Sequence, residues 1–100
     1  MKLWVDDVRD PPHDYFWFKS VNSAKQMIEL CEQGYFSKVE IIDIDHDAGD
    51  FANDGGDYIK LLDWLEETGR NYPIRIHSMN TVGIANMRRI IERNGWIEVR

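Results

Sequence analysis

The stretch Val39-Glu40-Ile41-Ile42-Asp43-Ile44-Asp45-His46-Asp47 decides how the whole chain is read. Its β-branched run predicts a strand over Val39 to Asp45, and helical patterns lie on both sides of it. Before it, Ser20 suits an N-cap, Ala24, Met27, Ile28 and Cys31 share one face at helical spacing, and Gly34 stops the helix. After it, Asp57 is placed to cap a second helix in which Tyr58, Leu61, Leu62 and Leu65 form the apolar stripe and Gly69 the stop. Strands separated by helices imply crossover units, and crossovers build parallel sheets.

Further out the alternation continues. Lys2 to Asp6 and the aromatic run Tyr15 to Lys19 read as strands joined by the proline loop Arg9-Asp10-Pro11-Pro12-His13-Asp14. Pro73 introduces a strand from Ile74 to His77, Asn80 or Thr81 caps a third helix with Ile84, Met87, Ile90 and Ile91 inward, Gly95 ends it, and Trp96 to Arg100 reads as a last strand. Residues 7 to 14 hold no helix, yet eight extended residues reach roughly 26 Å, more than the ~17 Å needed to run back along a five-residue strand. A parallel return is therefore open to them. Apolar and polar residues alternate in Ile74-Arg75-Ile76-His77 and Ile97-Glu98-Val99-Arg100, and alternation means one wet face. The expectation is an α/β fold whose three helices all cover one face of a mainly parallel five-stranded sheet. The other face is then largely open, or closed by a second copy of the chain in a homodimer.

One hundred residues, of which 43% are hydrophobic and 30% charged, are enough for one core and too few for a separate cofactor domain. The whole of 1–100 thus reads as a single domain. Cys31 is the only cysteine, so no intrachain disulfide forms. The first residues reach Asp6 and Asp7 before any long apolar stretch, which predicts no signal peptide. No apolar run is long enough to span a membrane. A cytoplasmic, reducing compartment is the expectation.

The net charge of −6 is local. Asp43, Asp45, Asp47, Asp50, Asp54 and Asp57 fall within fifteen residues, and no Lys or Arg occurs from Ile41 to Ile59. Without those six, the remaining twelve of the 18 acids are balanced by 12 bases. Duplex DNA as a partner is disfavoured, because a polyanion calls for a basic surface.

In parallel sheets ligands bind where the carboxyl ends of the strands meet their loops. That edge receives Asp6 and Asp7 from the first strand, Asp45-His46-Asp47 from the third and His77-Ser78 from the fourth. Carboxylates gathered there repel one another and call for a cation. Asp6, Asp7, Asp45 and Asp47 are the candidate ligands, and an oxygen-rich set suits Mg²⁺ or Mn²⁺, less well Ca²⁺, better than zinc. Asp43, Asp45 and Asp47 also imitate the start of an EF-hand loop, but Ala48 stands where that loop needs Gly and Asp54 where it needs the closing Glu.

The sequence resembles the receiver domain of two-component response regulators, and more closely the cyclic-phosphate-processing receiver-like family. The resemblance covers nearly the whole chain. It rests on Val5-Asp6-Asp7, on Val39 to Asp47, on Gly56-Asp57-Tyr58-Ile59-Lys60-Leu61-Leu62 and on Pro73-Ile74-Arg75-Ile76-His77-Ser78. The smaller family's marks are Asp6-Asp7-x-Arg9-x-Pro11-Pro12, Asp45-His46-Asp47-x-Gly49 and His77-Ser78-x-Asn80-x-x-Gly83-x-x-Asn86-Met87. The resemblance implies the receiver strand order 2-1-3-4-5, with the first and last receiver helices missing. It implies metal ligands at Asp6 and Asp7 and an acceptor or third ligand at Asp45, with Asp43 as the other candidate for that position. Receivers keep a Lys at the end of the last strand, whereas this chain has none beyond Lys60, which puts a phosphorylation switch in doubt.

Processing of a cyclic phosphate is the activity the resemblance implies, and the expectation is a hydrolase of cyclic or terminal phosphates on nucleotides or RNA ends. The residues permit it, with Asp45, His46, His77 and Ser78 as the catalytic candidates. His46 or His77 would move protons. Asn80, Gly83 and Arg88, with Ser78 at the start of the third helix, would seat an anion, and Arg9 would clamp a phosphate oxygen. Water as nucleophile gives a phosphomonoester, and Asp45 as nucleophile an acyl phosphate. The competing expectation is a non-catalytic module that binds metal or a phosphorylated ligand and acts through a protein partner.

Overall fold

Strands and helices alternate along the chain, which the computed structural model describes from Met1 to Arg100. In order they are β1 (Lys2–Val5), β2 (Tyr15–Phe18), α1 (Val21–Glu32), β3 (Ile41–Ile44), a short 3₁₀ turn (Gly49–Phe51), α2 (Ile59–Glu67), β4 (Ile74–Ile76) and α3 (Thr81–Asn94). All strand pairs are parallel, in the order β2-β1-β3-β4. No helix is long and apolar enough to cross a membrane.

The caps explain where the helices begin and end. Ser20 and Ser23 form a reciprocal capping box at the start of α1. Asn80 caps α3 by accepting the Gly83 N–H at 2.9 Å, and Gly95 ends that helix in the left-handed conformation at φ 67°. The expected cap of α2 is different. Asp57 does not cap that helix by its side chain but accepts the Ala48 N–H at 3.0 Å, closing the acidic loop on itself. The helix entry falls instead at Tyr58, whose buried ring is fixed by a 2.8 Å hydrogen bond from its hydroxyl to the Lys19 carbonyl.

The sheet has four strands, and the expected fifth is reduced to one bridge. Ile74 N–H donates to Ile97 O and Val99 N–H to Ile74 O, pairing Ile74 with Glu98. The physical reason is the length of β4. Pro73 precedes it and the chain turns away after Ile76, so only Ile74 and Ile76 direct backbone groups to the outer edge.

Period-two alternation assigns the two faces. Leu3, Val5, Ile42, Ile44 and Ile74 point to one side, where Val21, Ala24, Ile28, Leu61, Leu62, Leu65, Met87, Ile90 and Ile91 from all three helices complete a single core. The opposite face carries no helix, as the alternation predicts, yet it is not bare. Trp4 is 4% exposed there. The helix-free β1–β2 loop lies against it, Trp4 Nε1 donating to Arg9 O at 2.8 Å and Trp17 Nε1 to Asp6 O at 2.7 Å. That loop is thus sewn down by two indoles.

Candidate active site

The pairing of β1 with β3 aligns Val5 with Ile44, so Asp6 and Asp45, each one residue further, leave the sheet side by side. The pairing of β3 with β4 aligns Ile44 with Ile76, which adds His77 to the same edge. Strand alternation then turns Asp6, Asp43, Asp45, Arg75 and His77 to the helix-free face together with Trp4. The result is a cluster in which ligand atoms of Asp6, Asp45 and His77 all lie within 4.8 Å of one another.

His77 is the most constrained group in it. Its Nδ1 is 2.6 Å from Asp43 Oδ1 and its Nε2 2.9 Å from Asp6 Oδ2. Its ring lies flat on Trp4, centroids 3.7 Å apart and planes 3° from parallel. The short Asp43, between them in the sheet, leaves room for that stacking. Asp43 is fully buried and completes its bonding with a 3.0 Å ion pair to Arg75 Nη1. Both imidazole nitrogens are therefore occupied by carboxylates.

Asp6 is buried but not destabilised as an anion. Burial pushes its carboxyl up, and the Arg9 and Val8 N–H groups, at 3.1 and 3.0 Å from Oδ1, together with His77 outweigh that and hold it below the ordinary range. Asp7 goes the other way. Burial raises it, its own backbone N–H opposes this, and the charges of Asp6 and Asp45 add to the rise. Gly49 lies against this carboxylate, and a Cβ there would stand 2.3 Å from Asp7 Oδ2, so the flexible carboxylate would have to turn aside. Gly49 also adopts φ 55°, the left-handed region that favours glycine.

His46 sits beside this group in a different setting. Its Nδ1 is 2.9 Å from Asp47 Oδ1, while Nε2 has no protein partner. The hydrogen bond from His46, seconded by Asn80, holds the Asp47 carboxyl below its usual range against an upward push from burial. The ring lies directly on α3, because a Cβ on Gly83 would come within 2.5 Å of His46 Cγ and Cδ2. Gly83 is there for the imidazole.

The structure thus brings Asp6, Asp45 and His77 together, with Asp7 adjacent and His46 and Asp47 as a neighbouring pair. It separates the rest. Ser78 Oγ accepts the Asn80 N–H at 3.1 Å and Asn80 takes the Gly83 N–H, so the start of α3 closes on itself at these three positions. Arg88 is paired with Glu98 at 2.9 Å, away from the cluster. Arg9 lends its backbone N–H to Asp6 and its exposed guanidinium has no protein partner. Two contributors were hidden from sequence reasoning in their actual roles, Asp43 as the partner of His77 and Trp4 as its stacking surface. The signal for both was present in the alternation, which puts residues 4, 6, 43, 45, 75 and 77 on one face.

Two carboxylates and an imidazole converging at this distance form a donor set suited to a divalent cation, and the mutual repulsion recorded at Asp7 is what such a charge would relieve. The sequence matches the family model of the cyclic-phosphate processing receiver domain over residues 1–93. No curated protein and no solved structure matches the chain.

Proposed function

The chain belongs to the family of cyclic-phosphate processing receiver domains, and from that premise we propose that it is a divalent-metal-dependent phosphoesterase that opens cyclic phosphates on nucleotides or RNA ends. The observation that carries this reading is the convergence of Asp6, Asp45 and His77 within 4.8 Å at the carboxyl edge of the sheet. Asp6, Asp7 and Asp45 hold the ion, Mg²⁺ or Mn²⁺. When bound, it supplies positive charge to polarise a phosphate oxygen and stabilise the charge that develops during attack.

The chain's own residues divide the remaining work. His46 is the proton carrier, because its Nε2 is free while Asp47 fixes the tautomer and orientation through Nδ1. His77, bonded at both nitrogens, is a poorer one. Arg9, exposed beside Asp6, clamps a non-bridging phosphate oxygen. A water oxygen bonds to phosphorus as one ring P–O bond breaks. His46 takes the proton from the water and delivers it to the departing oxygen, leaving an open phosphomonoester.

The test is a thermal shift with Mg²⁺, Mn²⁺ and chelator, followed by assays on 2′,3′-cyclic and 3′,5′-cyclic nucleotides. Metal-dependent turnover of at least one is expected. Stabilisation by metal with no turnover of either would replace the enzyme by a non-catalytic binding module.

A further inference from the structure

Receiver-like carboxylates alone make an all-oxygen site. This cluster contains nitrogen, and the setting of that nitrogen is unusual for a residue whose only task is to hold the fold. Asp43 sits behind His77 at 2.6 Å from Nδ1, inside the sheet and fully buried. Trp4 fixes the plane of the ring from one side. Nε2 is thereby aimed at the edge, 2.9 Å from Asp6 Oδ2, in the group where ligand atoms of Asp6, Asp45 and His77 lie within 4.8 Å of one another. A carboxylate on one imidazole nitrogen with the other directed at an ion is the arrangement that orients metal-binding histidines and raises their basicity.

The spacing agrees. Two bonds of about 2.1 Å meeting near a right angle place their donor atoms about 3 Å apart, and the His77 to Asp6 separation is 2.9 Å. The length of this contact is also the edge length of a coordination polyhedron.

We infer that His77 is a metal ligand through Nε2, oriented by Asp43, so that the site takes a first-row transition ion such as Mn²⁺ in preference to Mg²⁺. This rests on the metal-binding part of the proposed function and adds a nitrogen donor to it. Imidazole is a better partner for transition ions than for Mg²⁺, which favours oxygen and keeps its waters. Asp43 is a positioning residue here, since it touches the ion only through the ring.

The experiment uses the full chain with Mn²⁺. Pulsed electron paramagnetic resonance reads nitrogen coupling at bound Mn²⁺, and calorimetry compares Mn²⁺ with Mg²⁺. A ¹⁴N modulation is expected, changing to that of ¹⁵N when the histidines are ¹⁵N-labelled, which needs no variant. It should vanish in His77→Gln and persist in His46→Gln. Mn²⁺ should bind about tenfold or more tightly than Mg²⁺, and Asp43→Asn should weaken Mn²⁺ by about 10- to 100-fold while leaving the circular dichroism unchanged. Bound Mn²⁺ without nitrogen coupling, or coupling that follows His46, overturns the inference and leaves the metal-dependent enzyme standing. Binding with nitrogen coupling but no turnover sinks the hydrolase and leaves the inference. If neither ion binds, both fall.

Discussion

Asp43, within β3, and His77, the residue that follows β4, bring Oδ1 and Nδ1 to 2.6 Å of each other, the carboxylate inside the sheet and the ring at its edge. Asp43 belongs to the body of β3, beneath the ring that it orients. The carboxylate is enclosed by Trp4, Arg75 and His77, so the edge of the sheet rests on a polar layer where a sheet of this type ordinarily has a helix.

Asp43→Ala should be strongly destabilising. It leaves the buried His77 Nδ1 without its partner, at a cost of about 1–3 kcal/mol, while the half-exposed Arg75 turns to water. Urea denaturation should show the midpoint fall with little change in slope. A loss within a few tenths of a kcal/mol would mean that the layer contributes nothing to the fold.

Asp45→Asn should abolish turnover and the metal-dependent thermal shift together while the chain stays folded, because the change relieves repulsion with Asp7. The check is melting with and without Mn²⁺ alongside the cyclic-nucleotide assay. Retained activity would exclude Asp45 as ligand or nucleophile.

Gly83→Ala should displace His46. The new methyl group would lie within 2.5 Å of the ring, and the better helix propensity of Ala, about 1 kcal/mol, offsets part of the steric cost. Turnover is expected to drop about a hundredfold, the scale of a lost proton carrier, with a small change in melting temperature. The His46 ring resonances should shift in NMR spectra, and unchanged resonances would show that the contact is absent in solution.

Acid stability should depend on Glu66. The hydrogen bond from Arg93, seconded by Asn94, holds its carboxyl at about 2, below the usual 4.5. A carboxyl depressed on folding contributes stability that is complete above its ordinary value and is lost as pH falls through the folded one. The melting-temperature difference between the parent chain and Glu66→Gln should therefore be present near neutrality and shrink between about pH 4.5 and 2. It should also be small and salt-sensitive, because the pair is at the surface. A difference that grows on acidification contradicts the assignment.

Much of this was legible in the order of residues. Ser20, Asn80, Gly34, Gly69 and Gly95 mark helix ends by local backbone chemistry. The apolar stripes and strand runs then impose parallel crossovers, and Asp6, Asp45 and His77 must end at one edge because each follows a strand in the same direction. The alternation in Ile74 to His77 foretold a face without helices. Local rules did not extend to Asp57, whose carboxylate bonds Ala48 and not the first turn of α2, or to Trp96 to Arg100, whose pairing is limited by the length of β4.

What only the tertiary structure decided was pairing at atomic distance. Arg88 and Arg9 look alike as candidate phosphate contacts, and folding gives one to Glu98 and leaves the other free. His46 and His77 are alike as titratable residues, yet one keeps a nitrogen unengaged and the other has both taken. The engagement of His77 depends on residues more than thirty positions away, Asp43 and Asp6. Periodicity sets which face a side chain occupies, but strand register and the volumes between the rings set which atom it meets.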